Sequence, residues 1–206
     1  VRGYRIQTGE RTLAIDTGVA LSARPAICGT TLVAAGSDGV IIAIDTVSRK
    51  ELWRRRLGAT FLCPVASIGR HIAVGSEQWR MYLLDPADGR VTATIPAYGL
   101  LRHPPVGDEK AIYFGDSDGY LYCADPATGK TRYTVRLGKT INAGPCLRGG
   151  LLYCLIDGST LVEIDSATCR TRRNWRMGNT ASQLAVGSGY AVVGTAGGRV
   201  SAVALD

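Results

Sequence analysis

Apolar residues in this chain fall in short runs, either continuous or alternating with polar ones. Val40-Ile41-Ile42-Ala43-Ile44, Ala111-Ile112-Tyr113-Phe114 and Tyr120-Leu121-Tyr122-Cys123 are typical, and all are rich in β-branched and aromatic side chains. Such runs suit half-buried or buried strands. They are separated by dipeptides that supply the positive φ angles of tight turns: Asp38-Gly39, Asp118-Gly119, Asp157-Gly158 and Gly197-Gly198, then Thr8-Gly9, Asp88-Gly89 and Thr128-Gly129. No segment carries a helical period with caps. No apolar run approaches the roughly 20 residues a bilayer-spanning helix needs.

The strands recur with a period. Asp45, Asp85, Asp125 and Asp165 are forty residues apart, and the text after them repeats: Asp85-Pro-Ala-Asp-Gly-Arg, Asp125-Pro-Ala-Thr-Gly-Lys, Asp165-Ser-Ala-Thr-Cys-Arg. Asp45-Thr-Val-Ser-Arg-Lys is a degenerate copy, Arg5-Ile-Gln-Thr-Gly-Glu another, and a partial one starts at Ala204. Further columns agree, with prolines at Pro25, Pro64, Pro105 and Pro145 and glycines at Gly29, Gly69, Gly149 and Gly189. Each unit holds four short strands, so the chain is expected to be all-β: a β-propeller of four-stranded antiparallel blades, about five repeats in a single domain over residues 1–206. Val1 to Gln7 and Val200 to Asp206 occupy the same third-strand positions. A closed five-blade ring would therefore pair Ala202 and its neighbours with Thr12 to Ile15 and displace Val1 to Tyr4; a seven- or eight-blade propeller would need both third strands.

The 206 residues, 46% hydrophobic and 20% charged with 26 glycines, exclude disorder and collagen. The net charge of +7 rests on twenty arginines and only four lysines, which suits an anionic partner or simply a soluble surface. Arginines cluster on the expected fourth strands: Arg54 and Arg56, Arg132 and Arg136, Arg172 and Arg176. Charges on an outer strand block edge-to-edge pairing, and they could also form an anion-binding rim. Nucleic acid is the weaker reading, because only Trp53 and Trp175 interleave with them.

Six cysteines, Cys28, Cys63, Cys123, Cys146, Cys154 and Cys169, show no C-x-x-C spacing, and the two histidines, His71 and His103, add no metal-ligand pattern. No metal site is expected. Isolated cysteines within apolar strands favour a reducing, cytoplasmic compartment. Cys146 and Cys154 flank the turn at Gly149-Gly150 and could face each other across a hairpin. The chain opens Val-Arg-Gly without methionine and reads as a piece of a longer or processed product.

Tyr122-Cys-Ala-Asp125-Pro-Ala-Thr-Gly-Lys, with Ala43-Ile-Asp45 followed eight residues later by Trp53, resembles the PQQ-like (quinoprotein-like) β-propeller repeat, A-x-D-x-x-T-G-x-x-x-W. The positions matching Trp53 are Leu13, Ala93, Tyr133 and Arg173, so the interblade docking that the resemblance implies is only partly kept. Quinoprotein dehydrogenases of this family carry vicinal cysteines, a stacking tryptophan and a Glu-Asn-Asp calcium site. This sequence has no adjacent cysteines or carboxylate cluster, and no cofactor is expected. Other relatives are non-catalytic, such as the propeller lipoprotein of the outer-membrane barrel-assembly machine and domains attached to bacterial signalling kinases.

No catalytic triad, carboxylate pair or phosphate loop can be assembled. The anchor aspartates read as turn formers, since a short carboxylate there accepts backbone N–H bonds. Candidate binding residues lie in the loops joining the fourth strand to the next blade and the second strand to the third: Phe61, Trp79, Arg80, Tyr98, Arg102, His103 and Asn142. Gly75-Ser-Glu-Gln-Trp79-Arg80 and Ala97-Tyr-Gly-Leu-Leu-Arg-His103 depart from their sister repeats, and an exposed tryptophan beside an arginine is a typical anchor. The leading expectation is a non-enzymatic protein-interaction or ligand-sensing domain of a larger bacterial protein, such as a signalling kinase, with a protein or peptide on its loop face. The alternatives are a fragment of a quinone-dependent oxidoreductase, and anion or nucleic-acid binding through the arginine rim.

Overall fold

A computed structural model describes residues 1–177, 181–187, 189–195 and 197–205. Twenty-one strands are described, with no helix among the described residues. None of the described residues forms a helix long and apolar enough to cross a membrane.

Four complete blades follow one another, each a meander in sequence order. A two-stranded sheet precedes them, β1 (Arg2–Tyr4) with β2 (Arg11–Ala14). The first blade holds β3 (Ala26–Cys28), β4 (Thr31–Ala35), β5 (Val40–Asp45) and β6 (Glu51–Arg56). The second holds β7 (Ala66–Ile68), β8 (His71–Ser76), β9 (Arg80–Leu84) and β10 (Val91–Pro96). The third holds β11 (Val106–Gly107), β12 (Ile112–Gly115), β13 (Tyr120–Ala124) and β14 (Thr131–Arg136). The fourth holds β15 (Ile141–Arg148), β16 (Leu151–Ile156), β17 (Thr160–Asp165) and β18 (Thr171–Arg176). A three-stranded sheet ends the series: β19 (Ala181–Val186), β20 (Tyr190–Thr195) and β21 (Val200–Ala204).

Burial follows strand position. In the four complete blades the second and third strands are largely buried on both faces, as their continuous apolar runs require, whereas β6, β14 and β18 expose nearly every side chain. The core lies between blades. Val33, Ile41 and Trp53 pack on Ile72 and Leu84; Met81, Leu83 and Ile95 on Phe114 and Tyr122; Tyr113, Leu121 and Cys123 on Leu152, Ile164 and Cys169.

The anchor aspartates fix the turn between third and fourth strands. Asp45 Oδ1 accepts the Ser48 N–H at 2.6 Å, Asp85 that of Ala87 at 2.8 Å, Asp125 that of Ala127 at 2.9 Å and Asp165 that of Thr168 at 2.9 Å. These turns also receive the preceding blade. Trp53 Nε1 donates to the Pro86 carbonyl at 2.8 Å. Three blades on, Arg173 fills the tryptophan column, and its Nη2 donates to the Leu205 carbonyl at 2.9 Å, the equivalent position of the repeat. Arg173 also makes a bidentate pair with the wholly buried Glu163, at 3.0 and 3.1 Å, while the Tyr153 hydroxyl donates to that carboxylate at 3.0 Å.

One expectation is corrected. Cys146 pairs in register with Tyr153, so Cys154, one residue along, projects from the opposite face of the sheet; both are free thiols. The strand exchange that a closed five-blade ring would require is not seen among the described residues. Val1 and Ile15 bond each other through both backbone groups, at 2.7 and 2.9 Å, so Val1 to Tyr4 is not displaced. No ladder among the described residues joins β2 to β21; Asp206 lies outside the described residues.

Candidate functional site

One backbone link recurs on the side where each fourth strand passes to the next blade. The connecting loop there accepts a bond from the β-hairpin of the blade that follows: Ser37 N–H to the Ala20 carbonyl (3.3 Å), Glu77 to Thr60 (3.0 Å), Ser117 to Leu100 (3.0 Å) and Asp157 to Thr140 (3.1 Å). These links gather the connecting loops and the second-to-third-strand hairpins on the same side of the blades.

Trp79 and Tyr98 meet on this side. Trp79 takes a left-handed backbone (φ 58°) in the β8–β9 turn, and its carbonyl accepts the Ala97 N–H at 2.8 Å, bringing the turn against the loop that carries Tyr98. Both are unusually open for large aromatic residues, 52% and 62% exposed. Arg80, which opens β9, is exposed beside them. Trp79 and Tyr98, with Gly99, Leu100, Ser117 and Asp118, line a groove of about 330 Å³.

A buried carboxylate makes this loop rigid. Asp116 accepts hydrogen bonds from the Gly99 N–H (3.1 Å), Asp118 N–H (3.0 Å), Tyr120 N–H (2.9 Å) and the Tyr122 hydroxyl (2.6 Å). The Tyr122 oxygen in turn accepts the Tyr98 N–H at 2.7 Å. Burial, reinforced by the Asp116 carboxylate, pushes the Tyr122 phenol well above its ordinary pKa, so it stays a proton donor. The Tyr98 ring rests on Tyr120, centroids 4.9 Å apart, and the Arg136 guanidinium lies 5.6 Å over the other partner of that pair, Tyr120.

The remaining candidates lie elsewhere. Phe61 is fully buried and packs edge-on against Tyr82. Asn142 is half-buried, and its Oδ1 accepts the Gly158 N–H (2.6 Å) and the Thr140 hydroxyl (3.1 Å), which locks a turn. Arg102 and His103 line a separate cavity of about 400 Å³, with Arg24 and Gln183 among its other walls. Burial lowers the His103 pKa, a hydrogen bond to the Ile141 backbone opposes the shift, and the nearby Arg102 charge adds to it. Tyr120, Asp116, Arg24 and Gln183 were not marked by the sequence. Asp116 sits in a run of ordinary turn residues, and only its burial among four donors sets it apart.

Much of the arginine rim is spent within the protein. Arg54 pairs with Glu51 at 2.8 Å, Arg56 with Asp38 at 3.8 Å and Arg132 with Asp125 at 2.7 Å, while Arg136 covers Tyr120. A quinone does not fit the 400 Å³ cavity. Its described walls offer no stacking tryptophan, no adjacent cysteines and no carboxylate for a calcium ion. No group of acidic, histidine or cysteine residues able to hold a metal ion occurs among the described residues.

The family model and the curated relatives point to the same family. A family model described as outer membrane protein assembly factor BamB matches residues 1–92 and 72–206. The chain is similar to the BamB of Yersinia pestis, 34% identical over 97 residues, a match covering 41% of this chain and 25% of the relative. It is also similar to that of Burkholderia pseudomallei (strain K96243), 27% identical over 95 residues, covering 46% and 25%. Among solved structures, BamB from Moraxella catarrhalis superposes with a TM-score of 0.80 at 19% identity, covering 95% of this chain and 65% of that one. The matches thus span a quarter of the curated relatives and about two thirds of the solved chain.

The reducing, cytoplasmic compartment expected from the cysteines is overturned by these matches, because the relatives are assembly factors of outer membrane proteins. The physical reason lies in the packing. Cys63 and Cys154 are buried as small apolar residues between strands, so their lack of disulfides follows from where they pack and carries no information on compartment.

Proposed function

Since the chain belongs to the PQQ-like propeller family described as outer membrane protein assembly factor BamB, we propose that it is a non-catalytic scaffold acting outside the cytoplasm, where it holds a polypeptide partner during outer membrane protein assembly. The observation that carries this reading is the pairing of two open aromatic residues, Trp79 in the β8–β9 turn and Tyr98 on the neighbouring loop that a buried aspartate fixes. Aromatic anchors of this kind contribute most when they are held rigid before binding, because little side-chain entropy remains to be lost. The Arg136–Tyr120 stack borders the same surface and adds a cationic edge.

The experiment is a direct binding measurement between the purified chain and the purified components of an outer membrane protein assembly machine, with a photo-crosslinking residue at position 98. Crosslinking to one component, and a loss of affinity of roughly 10-fold or more in Trp79→Ala and Tyr98→Ala, is the expected result. Equal affinity in both variants would refute the placement of the surface. A sensor domain of a signalling kinase would instead bind none of the assembly components.

A further inference from the structure

The cavity of about 400 Å³ is built by a single layer of the repeat. Arg24 lies nineteen residues after its anchor Arg5, Pro64 nineteen after Asp45, and His103 eighteen after Asp85; Pro145 follows Asp125 by twenty and Gln183 follows Asp165 by eighteen. Five successive inner segments therefore converge on one space. That makes it the mouth of the channel along the propeller axis.

Its charge is one-sided. The inner segments 20–27, 60–67, 100–107, 140–147 and 180–187, equivalent in the repeat, contain no Asp or Glu, although the chain has 17 acidic residues. The same segments carry Arg24 and Arg102 together with His103. Arg24 and Arg102 enter the cavity from different repeats, and neither makes an ion pair with any described residue. This contrasts with the outer strands, where Arg54, Arg56 and Arg132 each have a carboxylate. Two guanidinium groups in a concave space without a counter-charge form a receptor for an oxyanion, since each presents a fork that matches a carboxylate. Gln183 and the half-buried His103 supply neutral polar groups to the same walls.

We propose that this axial cavity binds a small organic dianion bearing two carboxylates, one gripped by Arg24 and the other by Arg102. The volume favours a dicarboxylate over inorganic phosphate. At about 30 Å³ per water the space equals more than ten waters, several times what a phosphate fills. The inference is independent of the loop-face reading, because the axial walls include neither Trp79 nor Tyr98.

The test is calorimetric titration of the purified chain with succinate, inorganic phosphate and the uncharged succinamide, alongside Arg24→Gln, Arg102→Gln and the double variant. Circular dichroism and melting temperature verify that each variant folds. Succinate should bind and succinamide should not. Each single variant should weaken succinate roughly 10-fold, and the double variant roughly 100-fold, as expected for the loss of one charge-assisted contact at a time. The side-chain NMR signals of Arg24 and Arg102 should shift with the same titration. Undiminished binding in the folded double variant would overturn the proposal, as would phosphate binding as tightly as succinate. So would the absence of any heat or shift with succinate at about 10 mM, where a site of about 1 mM affinity would be mostly filled.

Discussion

The indole of Trp53 lies on the backbone of Gly89, so closely that a Cβ at position 89 would stand 2.7 Å from its Cδ2. Gly89 is also left-handed, with φ 71°. One residue thus serves two needs: it closes the turn after the anchor Asp85, and it leaves the flat floor on which the preceding blade rests.

Gly89→Ala is expected to cost about 2–3 kcal/mol, combining left-handed strain with displacement of the indole. Trp53→Ala, which empties a site now only 6% exposed, should cost about 3–5 kcal/mol. In the Trp53→Ala background the glycine substitution should cost clearly less, because only the strain remains. Urea denaturation of the four proteins in this double-mutant cycle provides the measurement; strictly additive losses would contradict the contact.

Tyr122→Phe removes a donor from the buried Asp116 and the acceptor of the Tyr98 N–H. A loss of about 1–3 kcal/mol is expected in denaturation. Amide hydrogen exchange at Tyr98 should accelerate more than exchange in the distant β16, since the substitution frees the loop before it destabilises the fold.

Three anchors make stability depend on acid. The Ser48 backbone N–H lowers the pKa of Asp45, the Arg132 guanidinium that of Asp125, and the Thr168 backbone N–H that of Asp165, each from an ordinary value of 3.8. A depressed folded-state pKa contributes stability that is fully present above the unfolded value and is lost as pH falls through the folded one. Melting temperature should therefore be flat with respect to these groups near neutrality and fall below about pH 4. Asp125→Asn should lower the neutral-pH plateau and shrink the acid-dependent part of the curve.

Arg173→Met leaves the fully buried Glu163 without its guanidinium and removes the bond to Leu205. The expected cost is about 2–3 kcal/mol, below the full range for a buried pair because the Arg173 side chain is 44% exposed. Adding Glu163→Gln should recover part of that loss, and chemical denaturation of the single and double variants would show it.

The architecture could be read from the chain because it rests on local chemistry repeated at a fixed interval. The forty-residue spacing of the aspartates, the turn glycines and the alternating apolar runs each act within one blade, and the strands follow them. Features that depend on neighbours across a seam were not legible. Loop position marked Trp79 and Tyr98, which are open, and equally Phe61, which turns inward onto Tyr82. The column of Trp53 revealed that Arg173 had replaced an indole, but the substitute hydrogen bond to Leu205 needs the folded geometry. A one-residue difference in hairpin register decided that Cys146 and Cys154 sit on opposite faces.

The Asp-centred turn has a consequence for how stress moves through the molecule. Each turn is both the end of its own hairpin and the seat of the blade before it, so a disturbance has to pass from one unit to the next in series. The protein should behave as a linear array of coupled cooperative units. Damage at Gly89 would loosen the first two blades and fade with distance, reaching the fourth by way of the third, where Phe114 and Tyr122 pack on the second blade and Tyr113 and Leu121 on the fourth.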